Sequence, residues 1–242
     1  VDDVAEPGCL VPILHSDDEI VAVDKPAGLP VIPSPQADAH YCLRSVVERQ
    51  IGAPVWVVHR LDQDASGVVL FAMTADVHRR LCLAFEHRLV EKTYQALTAG
   101  TPDPPVGSIA IALHAARRGK TRPAEPDEPG RRDALTEYET EQVWRRGDAT
   151  IALVQARPRT GRHHQLRVHF RAVGTPLLFD ALYGKRTDLT ALADAPCRRL
   201  ALHARRLILP ATVLGARRVL DAPLAADFDA TVGWLNREWL GA

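Results

Sequence analysis

Residues 55–74 read VWVVHRLDQDASGVVLFAMT, two short apolar runs on either side of a polar loop that carries a glycine. The runs, 55–58 and 68–71, are rich in β-branched residues and too short for helices, so both read as buried strands. Strand pairing fixes the loop between them at both ends. An acid on that loop, Asp62, holds its position at little further entropic cost, as a reactive group requires. Arg60 stands two residues before it, close enough to act on its charge.

The rest of the chain can be placed around this pair. The apolar strand 20–23 runs into Asp24-Lys25-Pro26-Ala27-Gly28, and prolines at 30, 33 and 35 force an extended loop. Leu43, Val46, Val47 and Ile51 lie along one side of a helix predicted over 40–51. Thr74 suits the N-cap of a helix running to about 88, with Asp76 near its positive end and Val77, Leu81 and Phe85 as its buried stripe. Strands are expected at 93–98 and 108–113, and the Arg-, Pro-, Gly- and acid-rich segment 117–133 suits a mobile loop. Segments 134–143 and 150–156 read as a hairpin turning at Arg145-Arg146-Gly147-Asp148. A helix over 162–172 follows, then strands at 200–209 and 217–220, and a closing helix at 225–240 with Phe228, Val232, Leu235 and Trp239 inward.

Strands in neighbouring pairs with interspersed helices predict an α+β fold, a mixed and mostly antiparallel sheet with flanking helices. At 242 residues and 46% hydrophobic content the chain can bury a substantial core, and a single domain over 10–242 is expected behind a loose leader at 1–9. Lysine plus arginine balance aspartate plus glutamate at 30 each, so any affinity for nucleic acid must come from a local patch rather than a global field. The many Arg-Arg pairs suit solvated strand ends and turns. Cys9, Cys42, Cys82 and Cys197 form no C-x-x-C and read as small core residues in a reducing compartment. No apolar run approaches the roughly 20 residues needed to cross a bilayer, and no signal pattern opens the chain, so a cytoplasmic protein is expected.

Three further constellations bear on chemistry. In Glu91-Lys92-Thr93-Tyr94, Lys92 and Tyr94 share one face of a strand. In Thr160-Gly161-Arg162-His163-His164-Gln165-Leu166-Arg167-Val168-His169-Phe170, helical spacing puts His163, Arg167 and Arg171 on one side, either a solvated face or a wall that carries charge into a cleft. The three histidines lack the i, i+4 spacing of a metal site, so no metal is assigned. Leu200-Ala201-Leu202-His203-Ala204 alternates as a strand with one buried face.

Taken together, and in this order, these segments resemble the RluA family of RNA pseudouridine synthases, from about residue 20 to 210. The family's H-R-L-D-x-x-T-S-G-x-x-L-x-A is similar to the run from His59 to Ala72, and its K-P-A-G to Lys25 to Gly28. Its K-x-Y is similar to Lys92 to Tyr94, its T-G-R-x-H-Q-I/L-R-V-H to Thr160 to His169, and its L-H-A to Leu202 to Ala204. Ala65 stands where the family has threonine, and Phe179 where it has the glycine of G-D-x-x-Y-G.

The resemblance implies a pseudouridine synthase-like fold with a central RNA-binding cleft, isomerising uridine in RNA without a cofactor. It implies Asp62 as nucleophile and Arg167 as the guanidinium that favours its charged form. Tyr94 would lie against the uracil and Leu202 would pack on the other side of the ring. A base in a stem must be extruded at a cost of a few kcal/mol, and Arg60 is the candidate to occupy the vacated space. Arg162 and the cationic segment 117–122 are candidates for phosphate contact. The partner would be a ribosomal or transfer RNA stem-loop, with no membrane and no obligate protein partner. Relatives often carry an N-terminal S4 RNA-binding domain, for which this chain has no room. Two rival readings are a magnesium-dependent phosphatase of the haloacid dehalogenase type, since Asp62-Gln63-Asp64-Ala65-Ser66 also fits D-x-D-x-[ST], and a non-catalytic RNA-binding protein on the same scaffold.

Overall fold

The computed structural model describes residues 10–33, 41–184 and 189–241. The expected leader 1–9, Pro35, and His40 at the start of the first expected helix lie outside the described residues. In chain order the elements are β1 (Ile13–Ser16), β2 (Ile20–Lys25), α1 (Leu43–Ile51), β3 (Trp56–Val57), β4 (Ser66–Ala72), α2 (Ala75–Glu86), β5 (Glu91–Ala99), β6 (Val106–Ile109), β7 (Leu113–Ala115) and β8 (Thr121–Pro123). They continue as β9 (Thr136–Arg146), β10 (Ala149–Pro158), α3 (Gln165–Ala172), β11 (Leu202–Leu209), α4 (Ala211–Leu214), β12 (Arg218–Asp221), α5 (Ala226–Glu238) and β13 (Leu240–Gly241). The fold is α+β with mostly antiparallel pairing, as the strand pattern predicts. The chain divides into two compact units, one of residues up to Lys92 together with Ala204–Ala225, the other of Thr93–His203 together with the residues from Ala226 on.

In the first unit β4 is buried at every residue, which is why its sequence is an unbroken apolar run rather than an alternating one. Antiparallel β2 pairs along it from Ile20 opposite Ala72 to Lys25 opposite Gly67. β1 continues outward from β2, β3 pairs with the end of β4, and β12 pairs antiparallel with β11. Gly67 is required at the start of β4. Its φ is +113°, and a Cβ there would stand 2.3 Å from the Ala204 carbonyl oxygen. Thr74 caps α2 by accepting the Val77 N–H at 3.3 Å, and Val77, Leu81 and Ala84 are buried. Phe85, expected in that stripe, is half-buried and stacks on His59 at 4.8 Å between ring centroids.

In the second unit β5, β10 and β9 form a continuous antiparallel ladder. β9 and β10 turn at Gly147-Asp148, with Gly147 at φ +55°, the left-handed conformation a two-residue hairpin loop needs. β6 and β13 both pair with β9. Helix α5 buries Phe228, Thr231 and Leu235, and its Asn236 accepts the Trp144 indole N–H at 2.9 Å.

Three larger departures from the sequence expectations fall in the second unit. The expected strand 108–113 is split into β6 and β7. Leu113 exchanges backbone bonds with Arg132 at 2.9 and 2.8 Å, and the Ala112 carbonyl accepts from Ala124 N–H at 2.8 Å, so the second half of that run pairs with its own downstream segment. The expected loop 117–133 therefore holds a 3-10 turn at Arg117–Gly119 and strand β8, hairpinned to β7. Arg122 and Glu128 brace it with a paired hydrogen bond, one arm at 3.0 Å. Finally, α3 begins at Gln165 rather than near 162, because His164 adopts φ +53° and the Gln165 side chain accepts the Arg162 N–H at 3.0 Å. His163 thus lies outside the helix whose face it was expected to share.

Candidate active site

Asp62 lies on the loop between β3 and β4 and is half-buried, while the flanking Arg60, Gln63 and Asp64 are exposed. The loop is held by its backbone. Ala65 N–H donates to the Asp62 carbonyl at 3.1 Å, and the next carbonyl, that of Gln63, accepts from Gly28 N–H at 2.8 Å and from Lys25 Nζ at 2.9 Å. Gln63 answers by donating its side-chain amide to the Gly28 carbonyl at 3.0 Å.

Lys25 is the anchor, and its role was not evident from sequence. It is fully buried, and its ammonium also donates to the carbonyls of Pro26 at 2.8 Å and Leu29 at 2.9 Å. A buried ammonium is tolerated only when its donors are satisfied, and three carbonyls match its three protons. The signal was present as a lysine closing the strand Ile20-Val21-Ala22-Val23-Asp24-Lys25 just before a proline. On the other side of the loop, His59 Nε2 accepts the Leu70 N–H at 3.0 Å. Burial holds the His59 imidazole down at about 3, and the Lys92 ammonium adds to that effect. Lys92 is itself drawn down to about 8, by burial first and then by Arg88.

Tyr94, two residues beyond Lys92 on β5, is half-buried and pairs across the ladder with Ala156. Leu202, at the first position of β11, is buried. Arg162 is half-buried and donates from Nε to the Asp133 carbonyl at 3.1 Å.

Arg167 is the most constrained of these side chains. It sits in α3, where Gln165, Leu166, Arg167, Val168, His169 and Phe170 are all buried. Its guanidinium grips Asp180 in a two-bond fork, Nε to Oδ2 at 2.8 Å and Nη2 to Oδ1 at 2.7 Å, with side-chain exposures of 3% and 1%. Asp180 Oδ1 also accepts the N–H groups of Leu182 and Tyr183 at 2.9 and 3.0 Å. Burial raises the Asp180 carboxyl, but Arg167 and these two N–H groups outweigh it, and the carboxyl lies below its usual range. The Arg167 guanidinium carbon stands 5.1 Å from the centre of the Tyr183 ring.

The three histidines of this segment each meet a protein hydroxyl through Nδ1: His163 with Thr121 at 3.1 Å, His164 with Tyr183 at 2.9 Å and His169 with Thr136 at 3.0 Å. Among the described residues no group of three or more His, Cys, Asp or Glu is placed to hold a metal ion.

A family model described as RNA pseudouridylate synthase matches residues 19–172. The chain is 34% identical over 223 residues to tRNA pseudouridine synthase C of Yersinia pestis, covering 88% of this chain and 86% of that protein. It is 35% identical over 216 residues to the dual-specificity RNA pseudouridine synthase RluA of Escherichia coli K12, covering 89% and 93%.

The chain belongs to the RluA family of RNA pseudouridine synthases.

The solved structure of human RNA pseudouridylate synthase domain containing 4 agrees, with a TM-score of 0.74 and 28% identity over 93% of both chains. The family's reaction is the isomerisation of uridine in RNA, which sets aside the phosphatase reading of Asp62-Gln63-Asp64. The matched span holds Asp62, Tyr94 and Arg167 but stops short of Asp180 and Leu202.

The chain's two departures from the family pattern now have structural descriptions. Ala65 is fully buried and closes the Asp62 turn through its N–H, a bond that any side chain permits. Phe179 adopts φ +57°, the left-handed conformation that glycine takes freely and that costs an L-residue about 1–2 kcal/mol. Leu178 N–H on the Leu97 carbonyl at 2.8 Å and the Asp180 fork hold it from both sides. No helix among the described residues is long and apolar enough to cross a membrane.

Proposed function

We propose that this protein isomerises uridine to pseudouridine in a ribosomal or transfer RNA stem-loop, with Asp62 as the nucleophile on a flipped-out nucleotide. The observation that carries this reading is the anchoring of the Asp62 loop, in which the Gln63 carbonyl accepts from both Lys25 Nζ and Gly28 N–H while Asp62 itself stays half-buried. A nucleophile needs a fixed backbone and an approachable carboxylate. Arg167 is the counterion that the family pattern assigns to this acid, and its orientation is set by Asp180. Tyr94 lies against the uracil and Leu202 packs on the ring's other side. Arg60, exposed beside the nucleophile, occupies the space the extruded base leaves in the stem. Arg162 contacts phosphate. The relatives' names span both RNA classes, since one is a tRNA synthase, one is called dual-specificity, and one, from Rickettsia conorii, is named for the ribosomal large subunit.

Transfer and ribosomal RNA from cells lacking the gene, carrying tritium at uracil C5, provide the assay, because isomerisation breaks the N1–C1′ bond, joins C5 to C1′ and releases the C5 hydrogen to water. Asp62→Asn should cut tritium release by at least about 10³-fold while RNA binding persists, and Arg167→Ala should cost about 10²-fold or more. Release by Asp62→Asn at the wild-type rate would eliminate the nucleophile assignment. Equal RNA binding with no release by either wild type or variant would favour the non-catalytic reading.

A further inference from the structure

Tyr183 sits where several constraints of the second unit meet. It is 6% exposed and packs in a cluster with Leu113, Ala134 and Val168. Its ring lies beside the Arg167 guanidinium at 5.1 Å, within the range of a cation–π contact. Its backbone N–H donates to Asp180, the same carboxylate that forks onto Arg167, and its carbonyl accepts from Arg171. Its hydroxyl leaves this group entirely. The hydroxyl oxygen accepts the Thr121 N–H at 2.8 Å, at the start of β8, which leaves the phenolic proton to face His164 Nδ1 at 2.9 Å.

Thr121 belongs to the β7–β8 hairpin, whose turn carries Arg117, Arg118 and Lys120, with Arg117 and Lys120 exposed. That turn has cationic side chains directed to solvent and no acid between Leu113 and Pro123. The chain as a whole has zero net charge, so a local concentration of this kind is what a polyanion would meet. The Tyr183 hydroxyl and the His163–Thr121 bond both tie the start of β8 to the segment that carries α3 and its approach.

We propose that Tyr183 is a positioning residue with two separable parts. The ring orients Arg167 for the reaction, and the hydroxyl holds the cationic β7–β8 hairpin in place against the RNA backbone. The second part rests on the function proposed above, since it takes the hairpin's ligand to be the substrate RNA. One side chain thereby links where the RNA is gripped to the arginine the chemistry uses.

The two parts predict a split between KM and kcat that a merely structural tyrosine would not produce. In the tritium-release assay, Tyr183→Phe keeps the ring and loses the hydroxyl, so KM should rise about fivefold, the equivalent of one hydrogen bond, with kcat reduced less than twofold. Tyr183→Leu loses both, and kcat should fall a further tenfold or so. Lys120→Glu should raise KM in the wild-type background and add little in Tyr183→Phe, because the hairpin it sits on has already lost its hold. Thermal unfolding of each variant establishes that it is folded, and Tyr183→Phe, which keeps the buried ring, serves if Tyr183→Leu does not fold. An unchanged KM in Tyr183→Phe, or additive effects of Lys120→Glu and Tyr183→Phe, would overturn the positioning role while leaving the function intact. A wild-type protein that releases no tritium would overturn the functional reading, and this role with it.

Discussion

The loop that carries Asp62 and the helix that carries Arg167 are braced by different kinds of bond. The Asp62 loop is held through its backbone, with the Gln63 and Asp62 carbonyls accepting from Lys25, Gly28 and Ala65. Around Arg167 the bonds fall on the side chain, whose guanidinium is forked onto Asp180, lies beside Tyr183 and is almost wholly buried. In the proposed function the acid must form a bond, which needs a fixed main chain and an approachable carboxylate. A group that acts only through its field is better held rigid, since a fixed charge costs no reorganisation when the reaction occurs.

The largest effect should come from the side-chain clamp. Asp180→Ala would remove the two-bond fork from a buried guanidinium, and denaturant unfolding should show a loss of about 3–5 kcal/mol. A loss below about 1 kcal/mol would mean that Arg167 is held mainly by other partners. Lys25→Met tests the backbone clamp. It keeps the bulk and removes the ammonium from three carbonyls, so stability should fall by about 2–3 kcal/mol, and tritium release should fall even in the fraction that remains folded. Full activity in folded Lys25→Met would show that the loop holds Asp62 without that anchor, and the contrast between the two regions would collapse.

A third effect is the pH dependence on the loop's far side. His59 is held neutral, with its pKa lowered from 6.5 to about 3. The unfolded chain therefore takes up a proton on this residue before the folded one does. The contribution is fully present above pH 6.5 and is lost as pH falls towards about 3. His59→Gln, which keeps an acceptor for the Leu70 N–H, should remove that part of the acid limb. The stability difference between wild type and variant should shrink, or change sign in favour of the variant, as the pH is lowered from 7 to 4. A difference independent of pH would place the proton elsewhere.

How legible each region was follows from where its partners lie in the chain. The strands β2 and β4, the helix α2 with its Thr74 cap, the β9–β10 hairpin and the closing α5 were readable because their signals are local: an apolar run, a cap, a glycine at the turn, a stripe every three or four residues. The split of 108–113 and the presence of β8 were not. Leu113 takes its backbone partner from Arg132, and nothing in the composition of an Arg- and Pro-rich segment announces that pairing. The start of α3 was misplaced because helical spacing continues smoothly through His163 and His164, while the left-handed φ at His164 is imposed from outside, by a ring stacked on His163 and a bond to Tyr183.

The site divides the same way. The residues 59–72, 92–94 and 160–169 could be recognised as motifs from their letters and order, which sufficed for the family and its reaction. The letters did not say what holds them. Lys25 and Asp180 are legible in sequence only as letters of the K-P-A-G and G-D-x-x-Y-G segments, and what they bond to appears only when distant backbone and side-chain atoms close around them. Chain order alone determined which segments match the family's motifs, because strand and helix periods and motif spacing are properties of neighbours. Tertiary structure decided which charges are anchored and by what, because a buried ion is stable only where the fold brings enough partners to replace water.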